Sequence, residues 1–98
     1  MHTVLFRQIA KDEYLAAINW YDDQSSTAGD KFIDILNKKL DLIAENPYQY
    51  KNIYKKFYEV SLSVYPYTIV YLIKDRSKEV VVVAIYHHKR HHKKKYRS

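Results

Sequence analysis

The chain has 98 residues, of which 47% are hydrophobic and 15% aromatic, with eleven tyrosines, one glycine, no cysteine and a formal net charge of +6. That size suits one domain with one core, spanning 1–98, and the apolar share excludes a disordered chain. The missing cysteines exclude a disulfide framework or a thiolate zinc site and fit a reducing, cytoplasmic setting, while no window nears the ~20 apolar residues of a membrane span and MHTVLFRQIA lacks the apolar run of a signal peptide.

His2 to Arg7 is a β-branched and aromatic run that predicts a first strand. Ala10, Tyr14, Ala17, Ile18 and Tyr21 then recur at three- and four-residue steps, with Lys11, Asp12, Asp22 and Asp23 off the stripe, so an amphipathic helix is predicted over 8–24. The polar cluster Gln24 to Thr27 breaks it. Thr27 with Asp30 three residues later has the form of a capping box, opening a second helix that carries Phe32, Ile35, Leu36, Leu40 and Ile43 on one stripe and ends near Glu45, before Asn46-Pro47. The short connection makes the pair an antiparallel hairpin.

From Tyr50 onward strand formers dominate, in four runs: Tyr50 to Tyr54, Phe57 to Val64, Tyr67 to Lys74 and Val80 to Tyr86. Asp75 to Lys78 is turn chemistry and joins the last two as a hairpin. The fold class is therefore α+β, in the order β-α-α-β-β-β(β), with a mainly antiparallel sheet packed on one face by the helical hairpin. In the last two strands both alternating faces are apolar, and two helices cover only one of them. The other face is expected to stay partly exposed and to take a partner.

Charge is unevenly placed. Residues 1–86 hold eleven Lys/Arg and eleven Asp/Glu, so the whole excess lies in the last twelve residues, HHKRHHKKKYRS. A cationic tail at 87–98 attracts nucleic acid, a ribosome or an acidic protein segment.

The order of elements and several local stretches resemble the RelE/ParE toxin superfamily. AAINWYDDQS at Ala16 to Ser25 resembles the first helix of ParE-like plasmid-stabilisation proteins, and FIDILNKKLDLIAENP resembles their second helix with its closing proline. VYPYTIVYLI, from Val64 to Ile73, is similar to the family's Phe-Pro-Tyr strand with Tyr65 in place of Phe, and VVAIYHHKR, from Val82 to Arg90, is similar to its closing strand with His87 and Arg90 in the His-x-x-Arg positions. The resemblance implies the toxin of a type II toxin-antitoxin module, with a small acidic antitoxin as partner. It implies one of two targets: DNA gyrase, poisoned without RNA cleavage, or the ribosome with messenger RNA, cut by a ribosome-dependent endonuclease. A non-toxic nucleic-acid or protein-binding module is the third reading.

RNA cleavage through the 2′-hydroxyl needs a base, a cation for the phosphate and an acid for the leaving oxygen. His87 or His88 is the candidate base, Arg90 the phosphate clamp and Tyr96 the proton donor or stacking ring, while His88, Lys89, Arg90, Lys93, Lys94, Lys95 and Arg97 are candidate target-binding residues. Against cleavage, Glu59, Ser61 and Thr68 stand where the RelE-like pattern places cations on the sheet, which favours the gyrase reading. The pairs His87/His91 and His88/His92 have chelating spacing but no acidic or cysteine ligand nearby, so neither a metal nor another cofactor is expected.

Overall fold

A computed structural model describes residues 1–89. Its elements are β1 (Thr3–Phe6), α1 (Gln8–Gln24), α2 (Ala28–Glu45), a short 3-10 turn (Pro47–Gln49), β2 (Lys51–Tyr54), β3 (Phe57–Ser61), β4 (Tyr67–Lys74) and β5 (Glu79–His87). The strands form one sheet in the order β1-β5-β4-β3-β2, antiparallel throughout except that β1 lies parallel to β5. The fold class read from the sequence is the observed one.

Both helices lie on one face. The core joins Ala10 and Ala17 of α1 and Phe32, Leu36, Leu40 and Ile43 of α2 to Tyr67, Ile69, Tyr71 and Ile73 of β4 and Val80, Val82 and Ile85 of β5. Burying each large aliphatic or aromatic side chain contributes about 1.5–3 kcal/mol before chain entropy is charged against it. In β5 the core-facing positions step by two from Val80 to Val82 but by three to Ile85, because a bulge opens opposite Val70 and Tyr71. That extra residue is why VVVVAI shows no alternation.

The two helices meet closely at one point. A methyl group on Gly29, in the first turn of α2, would stand 1.8 Å from Oδ1 of Asp22 in the last turn of α1. The start of α2 differs from the predicted capping box: Thr27 makes no capping bond, and Oγ of Ser25 instead accepts from the Ala28 N–H at 3.1 Å. Thr27 already holds helical backbone angles (φ −112°, ψ −8°), whereas a capping side chain needs an extended residue.

The strand runs are trimmed as well. β3 stops at Ser61 rather than Val64, since 62–66 turn the chain toward β4, and β5 runs on to His87. At the far end of the sheet, the β2–β3 and β4–β5 turns place Lys55 (φ 48°) and Lys78 (φ 54°) in the left-handed region. Asn52 holds the first turn by donating to the carbonyls of Lys55 and Phe57, and Lys56 ties it to the second through Asp75 at 2.7 Å. Burial, with Tyr50 and Tyr58 nearby, pushes the Tyr71 hydroxyl well above the ordinary phenol range while it donates to the Pro47 carbonyl at 2.7 Å.

Candidate functional site

The face of the sheet away from the helices is the one the sequence expects to receive a partner. Register puts Leu5, Val81, Leu72 and Phe57 in one row across it, then Val70 with Glu59, then Tyr86, Thr68 and Ser61. It is less exposed than expected: Val70 is 1% exposed, Val81 9% and Tyr86 5%, while Leu5 keeps 42%. Cross-strand neighbours stand about 5 Å apart, so bulky groups such as Tyr86, Phe57 and Glu59 shield smaller ones between them. The exposed apolar surface concentrates at the β1 end.

The polar end holds a chain of three groups. Oγ of Ser61 lies 3.0 Å from Oγ1 of Thr68, which lies 2.9 Å from Nε2 of His88. The His88 backbone N–H also donates to the Pro66 carbonyl at 2.9 Å, which fixes the residue after β5 has ended. Such a chain moves a proton between an imidazole and a hydroxyl without moving a heavy atom. Beside it, where β2 begins late against β3, a groove of about 540 Å³ is lined by Gln49, Tyr50, Lys51, Glu59, Val60 and Ser61. Lys51 and Glu59 face each other across the strands there, so cationic charge does not dominate the groove.

The two neighbouring histidines part company. His87 sits opposite Tyr67 on the helix side, its ring edge-on to that tyrosine at 5.2 Å, and its Nδ1 accepts from the Lys89 N–H at 3.1 Å. His88 therefore presents its imidazole to the open face and His87 does not. Lys89 is exposed at the root of the tail. Arg90, Lys93, Lys94, Lys95, Tyr96 and Arg97 lie outside the described residues. Glu59, Ser61 and Thr68 were legible as departures from a cationic pattern. Their link to His88 was not, because the bond spans 20 residues and depends on the register of a hairpin.

Among the described residues no cluster of three or more His, Cys, Asp or Glu could hold a metal ion, and no helix is long and apolar enough to cross a membrane.

Comparison with known proteins agrees with this architecture. The chromosomal ParDE toxin-antitoxin system of P. aeruginosa contains a chain with a TM-score of 0.73 at 13% identity, over 89% of this chain and 96% of that one. The isolated E. coli RelE toxin superposes with a TM-score of 0.65 at 22% identity, over 92% and 87%. A chain of the intact E. coli RelBE toxin-antitoxin complex superposes with 0.61 at 22% identity, over 87% and 94%. No curated protein sequence matches the chain significantly. The family described as the ParE toxin of the type II toxin-antitoxin system parDE matches residues 4–92, nearly the whole length. The chain thus belongs to the ParE toxin family, the toxin half of type II toxin-antitoxin modules.

Proposed function

We propose that this chain arrests growth by binding DNA gyrase without cleaving RNA, and that a cognate antitoxin neutralises it. The observation that carries the reading is the polar end of the open sheet face. Glu59, Ser61 and Thr68 stand at its centre, and the nearest sheet cation, Lys51, is matched across the strands by Glu59. Phosphoryl chemistry needs preorganised positive charge where the phosphate gains negative charge, and the described residues of this face supply little. The structural relatives from the ParDE toxin-antitoxin system and the RelBE toxin-antitoxin complex support an antitoxin partner. An acidic segment would lay apolar anchors over Leu5, Leu72 and the helical hairpin and set carboxylates against the tail, with apolar burial giving most of the affinity.

Inducing the chain alone should stop growth with a DNA-damage response while translation continues, and purified protein should inhibit supercoiling by gyrase. Co-expressing the antitoxin should restore growth. Normal growth at high soluble expression would remove the toxin reading altogether.

One observation favours a second reading, ribosome-dependent cleavage of messenger RNA. The Ser61–Thr68–His88 chain holds an imidazole at the sheet with a route for its proton. In that reading His88 joins His87, Arg90 and Tyr96 as candidate acid-base residues, and translation fails within minutes of induction.

A further inference from the structure

The cancellation of charge over residues 1–86 conceals a separation in space. Residues 1–45, which include both helices, hold eight carboxylates against five Lys/Arg, whereas residues 46–86, the sheet strands β2 to β5, hold six Lys/Arg against three carboxylates. Five of those six cations, Lys55, Lys56, Lys74, Arg76 and Lys78, sit on or beside the two turns at one end of the sheet, all exposed. The turns touch: Lys56 bridges to Asp75, and its carbonyl accepts from the Ile73 N–H at 3.0 Å. The carboxylates at this end are Asp75, held by Lys56, Glu79, which accepts from Ser77, and Glu45 at the end of α2. The cationic excess persists after all three are counted.

We propose that these two turns form a nucleic-acid contact, gripping the phosphate backbone at the end of the sheet opposite the C-terminal end of β5. The eight steps from Glu79 to His87 place the two ends of β5 about 26 Å apart at 3.3 Å per residue. Composition decides between nucleic acid and an acidic protein. Protein interfaces are depleted of lysine at their centres and rely on buried aromatic or aliphatic anchors. Neither turn contains an apolar side chain, and the exposed aromatic ring at this end, Tyr54, is 60% accessible with the Lys55 ammonium 5.2 Å from its centre. Exposed lysines around an available ring make a surface that follows a backbone and reads no sequence. Lys55 and Lys78, both exposed, hold left-handed backbone in the two turns. The inference goes beyond the gyrase reading and does not rest on it.

The test measures binding of the full-length chain to a 25-base-pair duplex of arbitrary sequence over a salt series. The turn variant is Lys55→Asn, Arg76→Gln, Lys78→Asn, which keeps residues tolerant of left-handed backbone and leaves the Lys56–Asp75 bridge intact. A tail variant, Lys93→Ala, Lys94→Ala, Lys95→Ala, is measured beside it, and circular dichroism checks that both fold. The turn variant should bind roughly tenfold or more weakly near 100 mM salt, with a log–log salt slope shallower by about two to three, at ~0.9 for each phosphate no longer neutralised. Its effect should add to that of the tail variant. A turn variant with the affinity and slope of the parent would place all binding in the tail and overturn the proposal. So would a parent chain that ignores the duplex, whether or not it binds a polyglutamate peptide through the same turns.

Discussion

Glu13 of α1 accepts a hydrogen bond from the backbone N–H of Ile85, 72 residues away, at 2.8 Å. β1 ends at Phe6 opposite Val82, so beyond that point β5 has lost its neighbouring strand. A half-buried N–H left without an acceptor costs about 1–3 kcal/mol, and a carboxylate from the overlying helix meets the need. Glu13→Ala should therefore lower stability by about 1.5–3 kcal/mol, read as a drop in denaturant midpoint at unchanged slope. Glu13→Gln keeps an acceptor oxygen and should lose less than half as much. Equal losses would show that packing by α1, and not this bond, secures the end of β5.

Gly29→Ala sets two effects against each other. The new methyl group meets the Asp22 carboxylate, which is the far end of an exposed side chain and can rotate away. Alanine meanwhile gains up to about 1 kcal/mol of helix propensity over glycine. The melting temperature should move by only a few degrees. Gly29→Val, with a branched side chain that a rotated Asp22 does not clear, should destabilise clearly.

Tyr71 predicts an alkaline limit. Its folded-state pKa is raised, chiefly by burial and further by Tyr50 and Tyr58, so folding favours the neutral phenol. The stabilisation is fully present below the unfolded pKa of about 10 and is lost as pH climbs through the folded value, at up to about 1.4 kcal/mol per pH unit. Thermal melts from pH 8 to 11.5 should fall steeply above pH 10. Tyr71→Phe should cost about 1 kcal/mol at neutral pH, through the lost bond to Pro47, and should flatten the alkaline fall.

Thr68→Val separates the two toxic mechanisms at one buried position. It cuts the hydroxyl chain between Ser61 and His88 while keeping the shape of the side chain, at a stability cost of about 1 kcal/mol. If the chain acts on gyrase, growth arrest should persist at matched expression. Loss of toxicity from folded, soluble protein would move the mechanism to acid-base chemistry at the sheet.

The helices were legible to within a residue because α1 and α2 each bury a single stripe, from Ala10 to Tyr21 and from Phe32 to Ile43. The β4–β5 hairpin was legible from Asp75 to Lys78 alone. Parallel pairing of β1 with β5 was not, since Thr3 and Glu79 meet through contacts that no local pattern encodes. The bond from Ser25 was missed because the backbone angles of Ser25 and Thr27, two positions apart, decide which side chain serves the start of α2. At the candidate site, His87 and His88 are neighbours of one type, and only the register of β5 on β4, with the bond from the His88 N–H to the Pro66 carbonyl, decides which meets Thr68. The cationic turns were hidden because a running charge total averages over strands that the fold brings side by side.

The parallel pairing of β1 with β5 also sets the order of assembly. Thr3 is made 76 positions before its partner Glu79. The helical hairpin and the β2–β5 meander close through neighbouring segments, whereas β1 waits for a long loop to close and for the last strand to exist. The strand of this sheet that is made first is thus among the last to settle, and the sheet, with both its cationic turns and its histidine-bearing end, is complete only once β5 has been made. A chain interrupted before β5 leaves β1 without its strand, so a truncated translation product should be incapable of harming the cell that made it.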